Sequence, residues 1–251
     1  MAIEDLFHAL IACHIVTGAI GLVAFWVPVA GRKGGALHRK AGRLFIWTML
    51  ATGGFAVGIS LCTLSAPIAT HPHLMAHADF GSAQSIAAIF GWMMLYLAVL
   101  TVNLAWYGHL CVRNGRNRAA CRTPLNLTLQ AILLVAAANC VYQGALIAMP
   151  LMLGISLVGF ATVATNLWYL YKPKAGRLEW LAEHVKALVG TGISVYTAFF
   201  AFGAVRLLPE AALTPALWGA PLAVGLALIL YHRRSIALME RGAGVRRNAE
   251  A

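Results

Sequence analysis

Nine histidines are the residues of this chain best suited to chemistry. An imidazole can ligate a metal or a haem iron and it titrates near neutral pH, so a histidine inside an apolar segment is a candidate cofactor ligand or proton carrier. Two such positions are His14 and His184, and His38 is a third candidate in the link after the first apolar segment. They predict axial ligands of a b-type haem or members of a proton relay. The structural alternative is that His14 hydrogen-bonds nearby backbone or Thr17, and that His184 balances Glu183.

A second group of histidines lies in one short segment, residues 71–79. It places three imidazoles and a carboxylate within nine residues, a composition that suits zinc or copper. The predicted metal ligands are His71, His73, His77 and Asp79. A short loop rich in His, Pro and Asp is also ordinary interfacial sequence, so this alternative stays open.

Composition determines which elements must position these side chains. Of 251 residues, 61% are apolar and only 11% are charged, whereas soluble domains carry about 25% charged residues. The chain is therefore expected to be an integral membrane protein with an all-α fold, because continuous apolar runs of this length do not occur in barrel strands. Seven transmembrane helices are predicted in a single domain spanning 1–251, at about 6–30, 43–69, 81–107, 124–148, 150–171, 180–205 and 214–231.

The basic residues indicate the orientation of the predicted spans. All but one of the 19 lysines and arginines fall in the links after spans one, three and five, at the start of span six, or near the C-terminus, which includes a short basic tail at 236–251. By the positive-inside rule the N-terminus is outside and the C-terminus is cytoplasmic. The net charge of +11 therefore indicates topology, with anionic lipid as a partner at the cytoplasmic face and no nucleic acid.

Span depth separates the candidate histidines. At 1.5 Å per residue, His14 lies about 12 Å inside the outer surface and His184 about 6 Å inside the opposite one, within a core of about 30 Å. One iron cannot join them, so two sites are needed. His38 is predicted to reach the layer of His184, which makes that pair the one to test.

Amides at membrane depth suggest a polar cavity. Asn139 and Gln143 share a face of span four, and Asn103 and Asn166 lie in spans three and five. Such amides either hold helices together or line a ligand cavity, and the sequence does not separate the two uses.

Several cofactor classes are excluded. Span seven contains no lysine to bind retinal, and the common nucleotide-binding motifs do not occur. The pentapeptide Lys-Ala-Gly-Arg-Leu occurs twice, at 40–44 and 174–178. Each copy is predicted to form a cytoplasmic link before a helix, which suggests a duplication of helices one and two as helices five and six.

Three segments together resemble a known family. They are the residues His14 to Gly18, the basic link from Lys33 to Arg43, and Glu183-His184 followed by Tyr196 to Phe199. These resemble uncharacterised bacterial membrane proteins of the domain of unknown function 2306 type. The resemblance implies a bacterial inner-membrane protein with His14, His38 and His184 as its notable positions, and it implies no activity.

Three functions are consistent with these patterns. The first is a membrane redox protein with a histidine-bound haem or transition metal. The second is a transporter or receptor for a small molecule or ion, with a polar midplane cavity. The third is a zinc-dependent membrane hydrolase with Asp79 or a water as base, which ranks last because no companion carboxylate is evident in a span.

Overall fold

The computed structural model describes residues 3–75, 82–200 and 215–249, with side chains throughout except at 215–218 and 242–249. Within these ranges the chain is helical and forms no strand. The α-helices are α1 (Ile3–Ala30), α2 (Ala36–Ser65), α3 (Pro67–Thr70), α4 (Ala83–Ile86), α5 (Met94–Asn114), α6 (Pro124–Leu146), α7 (Pro150–Tyr171), α8 (Glu179–Ala198) and α9 (Pro215–Ala249). The predicted all-helical architecture is confirmed.

Six helical segments of the described chain are long and apolar enough to cross a membrane. They are Ile3–Ala30, Ala36–Ser65, Ala83–Asn114, Pro124–Leu146, Pro150–Tyr171 and Gly219–Arg241. These six correspond to predicted spans one to five and seven. Predicted span six corresponds to α8, which carries three charged residues in its first eight positions; the end of this prediction, 201–205, lies outside the described residues.

Several helices extend beyond the predicted spans. Helix α2 begins at Ala36, seven residues before the predicted start, and α9 runs through most of the predicted basic tail. Lys, Arg, Ala and Leu are good helix formers, so the helix continues past the apolar run where the chain enters the polar layer. Hydropathy detects only the apolar part of such a helix.

The repeated pentapeptide does not have one structure, and the prediction that both copies are links is wrong. Residues 40–44 lie inside α2, whereas residues 174–178 form the irregular link between α7 and α8. Pro173 precedes the second copy, and a proline disfavours helix in the residue before it. The identity of the two segments therefore gives no support to a duplication.

The contacts group the chain into two compact units. Unit 1 comprises Met1–Asn103 and Pro124–Leu167, and unit 2 comprises Leu104–Thr123 and Trp168–Ala251. In unit 1, α1 packs along α2, and α7 approaches α5 where Gly159 leaves room for Tyr96. A Cβ at Gly159 would lie 2.8 Å from Cε2 of that ring, whose hydroxyl donates to the Ile155 carbonyl at 2.7 Å.

Unit 2 is built on α8, which packs against α9. Its contact with α5 depends on a glycine, because a Cβ at Gly108 would lie 2.6 Å from Cδ2 of Leu188. Small residues let helix backbones approach closely in this way. The close approach brings the buried face of α5 against the first turns of α8.

Candidate functional site

A buried group of ionisable side chains joins α5 to α8 in unit 2. The Tyr107 hydroxyl donates a hydrogen bond to Oε2 of Glu183 at 2.9 Å. The ammonium of Lys186, one helical turn further along α8, contacts the same oxygen at 2.5 Å. Tyr107 is fully buried, and the Glu183 and Lys186 side chains are only 14% and 19% exposed. One carboxylate oxygen thus binds two donors in an apolar setting.

Other buried side chains lie in the same unit as this triad. Cys111 and Tyr169 are buried in the same unit, and the Lys186 ammonium lies 5.7 Å from the centre of the Tyr107 ring. An ammonium over an aromatic face gains a cation–π attraction. A hydroxyl, a carboxylate and an ammonium held together can exchange a proton, and intramembrane ionisable groups of this kind mark ion pathways and proton relays.

A second acid–base pair of unit 2 lies in the link between α7 and α8. Glu179 forms an ion pair with Lys172 and accepts a hydrogen bond from the Gly176 N–H at 2.9 Å. Glu240 of α9 accepts from the Leu178 N–H at 3.3 Å. Two carboxylates therefore accept hydrogen bonds from the backbone of this link, and we assign them a structural role.

Three buried amides form a chain inside unit 1. Gln130 Nε2 donates to Asn103 Oδ1 at 3.3 Å, and Asn166 Nδ2 donates to Gln130 Oε1 at 3.4 Å. All three side chains are buried, with at most 2% exposed. The chain has a buried donor at one end, Asn103 Nδ2, and a buried acceptor at the other, Asn166 Oδ1, neither with a hydrogen-bond partner among the described residues.

The predicted cavity residues divide into two sets. Asn103 and Asn166 meet through Gln130, a residue that sequence reasoning did not place in the cavity. Asn139 and Gln143 are half-buried further along α6. Asn139 is nine residues from Gln130, about 13.5 Å at 1.5 Å per residue, so the structure does not bring all four together.

Two of the three candidate haem ligands lie in unit 1 and are held by backbone carbonyls. His14 Nδ1 lies 3.0 Å from the Thr52 carbonyl, and His38 Nδ1 lies 3.2 Å from the Pro28 carbonyl. A carbonyl only accepts, so each Nδ1 carries the proton and each Nε2 keeps a lone pair. Pro28 follows His14 by fourteen residues of one helix, about 21 Å, so these two imidazoles are not ligands of one iron. His184 is half-buried in unit 2.

His71, which follows α3, belongs to a cluster of aromatic rings in unit 1. The His71 ring lies 5.3 Å from that of Phe7 and 4.9 Å from that of Phe90, and 6.0 Å from that of His73. Burial, and then the neighbouring His73, lower the pKa of His71 to about 4. Phe90 belongs to a π-helical segment, Ala87–Met93, in the third long helix, and such segments often occur at functional sites.

The predicted metal site is only partly described. His77 and Asp79 lie outside the described residues, and the described part of the chain contains no group of three or more His, Cys, Asp or Glu side chains placed to hold a metal. His71 and His73 alone supply two ligands. The zinc or copper site therefore stays a prediction.

Glu183 and Tyr107 were missed by sequence reasoning as functional residues. Glu183 is the only Asp or Glu inside any of the seven predicted spans, and sequence reasoning used it only as a partner that balances His184. The sequence could have identified Glu183 as a candidate site residue on the ground of that uniqueness. Tyr107 carried none, because only the close contact of α5 with α8 brings its hydroxyl to the carboxylate.

Comparisons with known proteins give no relative. No family model, no curated protein and no solved structure matches the chain. The resemblance to proteins of the domain of unknown function 2306 type stays a prediction.

Proposed function

We propose that this is a multi-pass membrane protein that moves protons, or a small solute together with protons, and that Glu183 takes up and releases the proton. The observation that carries the proposal is the contact of one buried carboxylate oxygen with both the Tyr107 hydroxyl and the Lys186 ammonium. Carboxylates inside apolar helices are expensive to bury and are typical of proton pathways.

The electrostatics of the triad favour a role in proton transfer. A proton on Glu183 cancels its attraction to Lys186, whereas loss of that proton restores the pair. The two protonation states therefore differ in the contact between the carboxylate and the ammonium, and such a difference can bias two conformations. The buried amides Asn103, Gln130 and Asn166 are the groups of unit 1 that we propose hydrogen-bond the solute.

The proposed topology has seven spans in a single domain. The segment predicted at 180–205, of which α8 is the helical part that the structure describes, is the proposed span beyond the six long apolar helices. The distribution of Lys and Arg supports an outside N-terminus and a cytoplasmic C-terminus. We propose the inner membrane of a bacterium as the location, on the resemblance described above.

Proton movement in sealed vesicles tests the proposal. The protein is reconstituted into liposomes that contain a pH-sensitive dye, and a potassium diffusion potential is imposed with valinomycin. We expect internal pH to change faster than in protein-free liposomes, and Glu183→Gln to reduce the rate at least tenfold. A wild-type rate equal to that of empty liposomes, over a series of imposed pH gradients, would contradict proton movement.

Glu179→Gln is the matched control. It makes the same chemical change in the same helix, but Glu179 is the first residue of α8 and binds the link before it, through Lys172 and the Gly176 N–H. We expect it to keep the wild-type rate. Equal losses in both variants would mean that the assay reports the stability of α8.

A second candidate function is a membrane redox protein with a histidine-bound haem b or a transition metal such as zinc or copper. The specific observation is that His14 and His38 each direct Nδ1 to a backbone carbonyl. Metal-ligating histidines almost always donate their other ring N–H in this way, which orients Nε2 toward the metal. A dithionite-reduced minus oxidised spectrum tests it: sharp haem bands that disappear in alanine variants of His14, His38 or His184 would support it, and a flat spectrum with no bound metal would exclude it.

A further inference from the structure

The turn between α1 and α2 in unit 1 carries a dense positive charge. Five basic residues lie between positions 32 and 43, and no Asp or Glu occurs from residue 6 to residue 78. The five are Arg32, Lys33, Arg39, Lys40 and Arg43. A local excess of cations this large requires an anionic partner or full hydration.

Two of the five cations are used within the turn itself. Lys33 donates to the Pro28 carbonyl at 2.9 Å and to that of Val29, and Arg39 donates to the Gly34 carbonyl. Burial lowers the pKa of Lys33. The two Lys33 contacts bind carbonyls in the last turn of α1, where a helix leaves carbonyls without intrahelical partners, and the Arg39 contact binds a carbonyl of the turn that follows. Lys33 and Arg39 are therefore structural.

Two of the other three cations lie beside exposed apolar side chains. Lys40 and Arg43 are exposed and make no hydrogen bond or ion pair with the described residues. Leu37, Leu44 and Trp47 are 65%, 50% and 55% exposed. Spacings of three and four residues place these two cations and three apolar side chains on one face of α2, with Leu37 before the cations and Leu44 and Trp47 after them.

We propose that this face of α2 binds the headgroup and upper acyl chain of an anionic phospholipid. Lys40 and Arg43 contact the phosphate and any second anionic group, and Leu44 and Trp47 pack along the chain. Tryptophan is enriched where acyl chain meets headgroup. Lys40 and Arg43 precede Leu44 and Trp47 along α2, as the headgroup precedes the acyl chain in a phospholipid, and Leu37 lies on the headgroup side of the two cations. The proposal needs only that α2 crosses the membrane, and it does not rest on proton movement.

Native mass spectrometry of the full chain in detergent tests this site. The protein is titrated with phosphatidylglycerol and, separately, with phosphatidylcholine. Each cation near an anionic lipid surface contributes about fivefold in affinity, so Lys40→Gln with Arg43→Gln should weaken the first bound phosphatidylglycerol about 25-fold and leave phosphatidylcholine unchanged. Trp47→Ala should weaken both lipids, because it removes packing and no charge.

Arg113→Gln with Arg116→Gln is the matched control, since both residues are exposed and the charge change is the same. We expect the first bound phosphatidylglycerol to be unaffected. An equal loss in the control would show diffuse attraction and overturn a site on α2, as would equal binding of the two lipids by the wild type. If Lys40→Gln with Arg43→Gln abolished a dimer and left bound lipid unchanged, this face of α2 would bind a second copy of the chain, and the lipid site would be overturned.

Discussion

The hydroxyl of Tyr107 and the carboxylate of Glu183 lie 2.9 Å apart, across the contact between α5 and α8 in unit 2. The two residues are 76 positions apart in the chain, and neither is exposed to any large extent. Because Lys186 contacts the same oxygen, three ionisable groups depend on one another.

The first prediction concerns the pairing of Glu183 with Lys186. Glu183→Gln leaves the ammonium of Lys186 without its counter-charge, so it should lower the free energy of unfolding by about 2–3 kcal/mol. This is somewhat less than the loss for a fully buried pair, because both side chains are partly exposed. Adding Lys186→Met should recover at least half of that loss. Reversible unfolding in mixed detergent micelles measures both, and strictly additive losses would show that the two charges are independent.

The second prediction concerns Arg118, which binds the C-terminal end of α7. It donates to the carbonyls of Tyr169 at 2.9 Å and Lys172 at 2.8 Å. Charged hydrogen bonds to backbone are worth about 1.5–3 kcal/mol, so Arg118→Gln should destabilise the protein by about 2–3 kcal/mol. Arg116→Gln, an exposed neighbour, should change stability by less than about 0.5 kcal/mol. Similar melting temperatures for the two variants would refute the capping role.

The third prediction concerns the amide chain of unit 1. Gln130→Leu removes both of its hydrogen bonds and should destabilise by about 1–3 kcal/mol. Gln143→Leu is the same substitution on the same helix at a half-buried site, and it should be close to neutral. Thermal unfolding followed by tryptophan fluorescence compares them. A neutral Gln130→Leu variant would mean that the amides pair with other groups.

The fourth prediction concerns pH and His71. Its pKa falls from 6.5 to about 4 on folding, so between these values the unfolded state binds a proton that the folded state does not. The free energy of unfolding is therefore unaffected by this residue above pH 6.5, and it decreases as pH falls from 6.5 toward 4. Melting temperature should decrease over that window in the wild type, and His71→Phe should flatten the decrease.

The exposed His8, whose Nδ1 lies 2.7 Å from the Glu4 carbonyl in α1, provides the control for His71. His8→Phe should keep the wild-type pH dependence. If instead His71→Phe retains the full slope, the proton that destabilises the fold binds elsewhere.

Sequence reasoning recovers the helices because apolar runs of this length have no other stable structure in lipid. It misplaces the ends of α2 and α9, since basic residues in the polar layer still form good helix. It also identifies Asn103 and Asn166, because amides at that depth are conspicuous. It cannot join them through Gln130, since the contact depends on how three helices pack.

The histidines show the other limit of sequence reasoning. An imidazole side chain alone makes His14 and His38 candidate ligands. The carbonyls that orient the two rings belong to Thr52, which is 38 positions from His14, and to Pro28, which is 10 positions from His38. Tyr107 is a further case, because Gly108 permits the close approach of α5 to α8 and nothing in local sequence specifies the partner. Long-range packing therefore decides which polar residues act together.

Infrared difference spectroscopy between high and low pH tests most directly whether Glu183 carries the proton. We expect a carbonyl band of a protonated carboxyl group to appear on acidification, to shift in D2O, to be absent in Glu183→Gln and to persist in Glu179→Gln. The same band in Glu183→Gln as in the wild type would contradict the proposal that this carboxylate takes up and releases the proton.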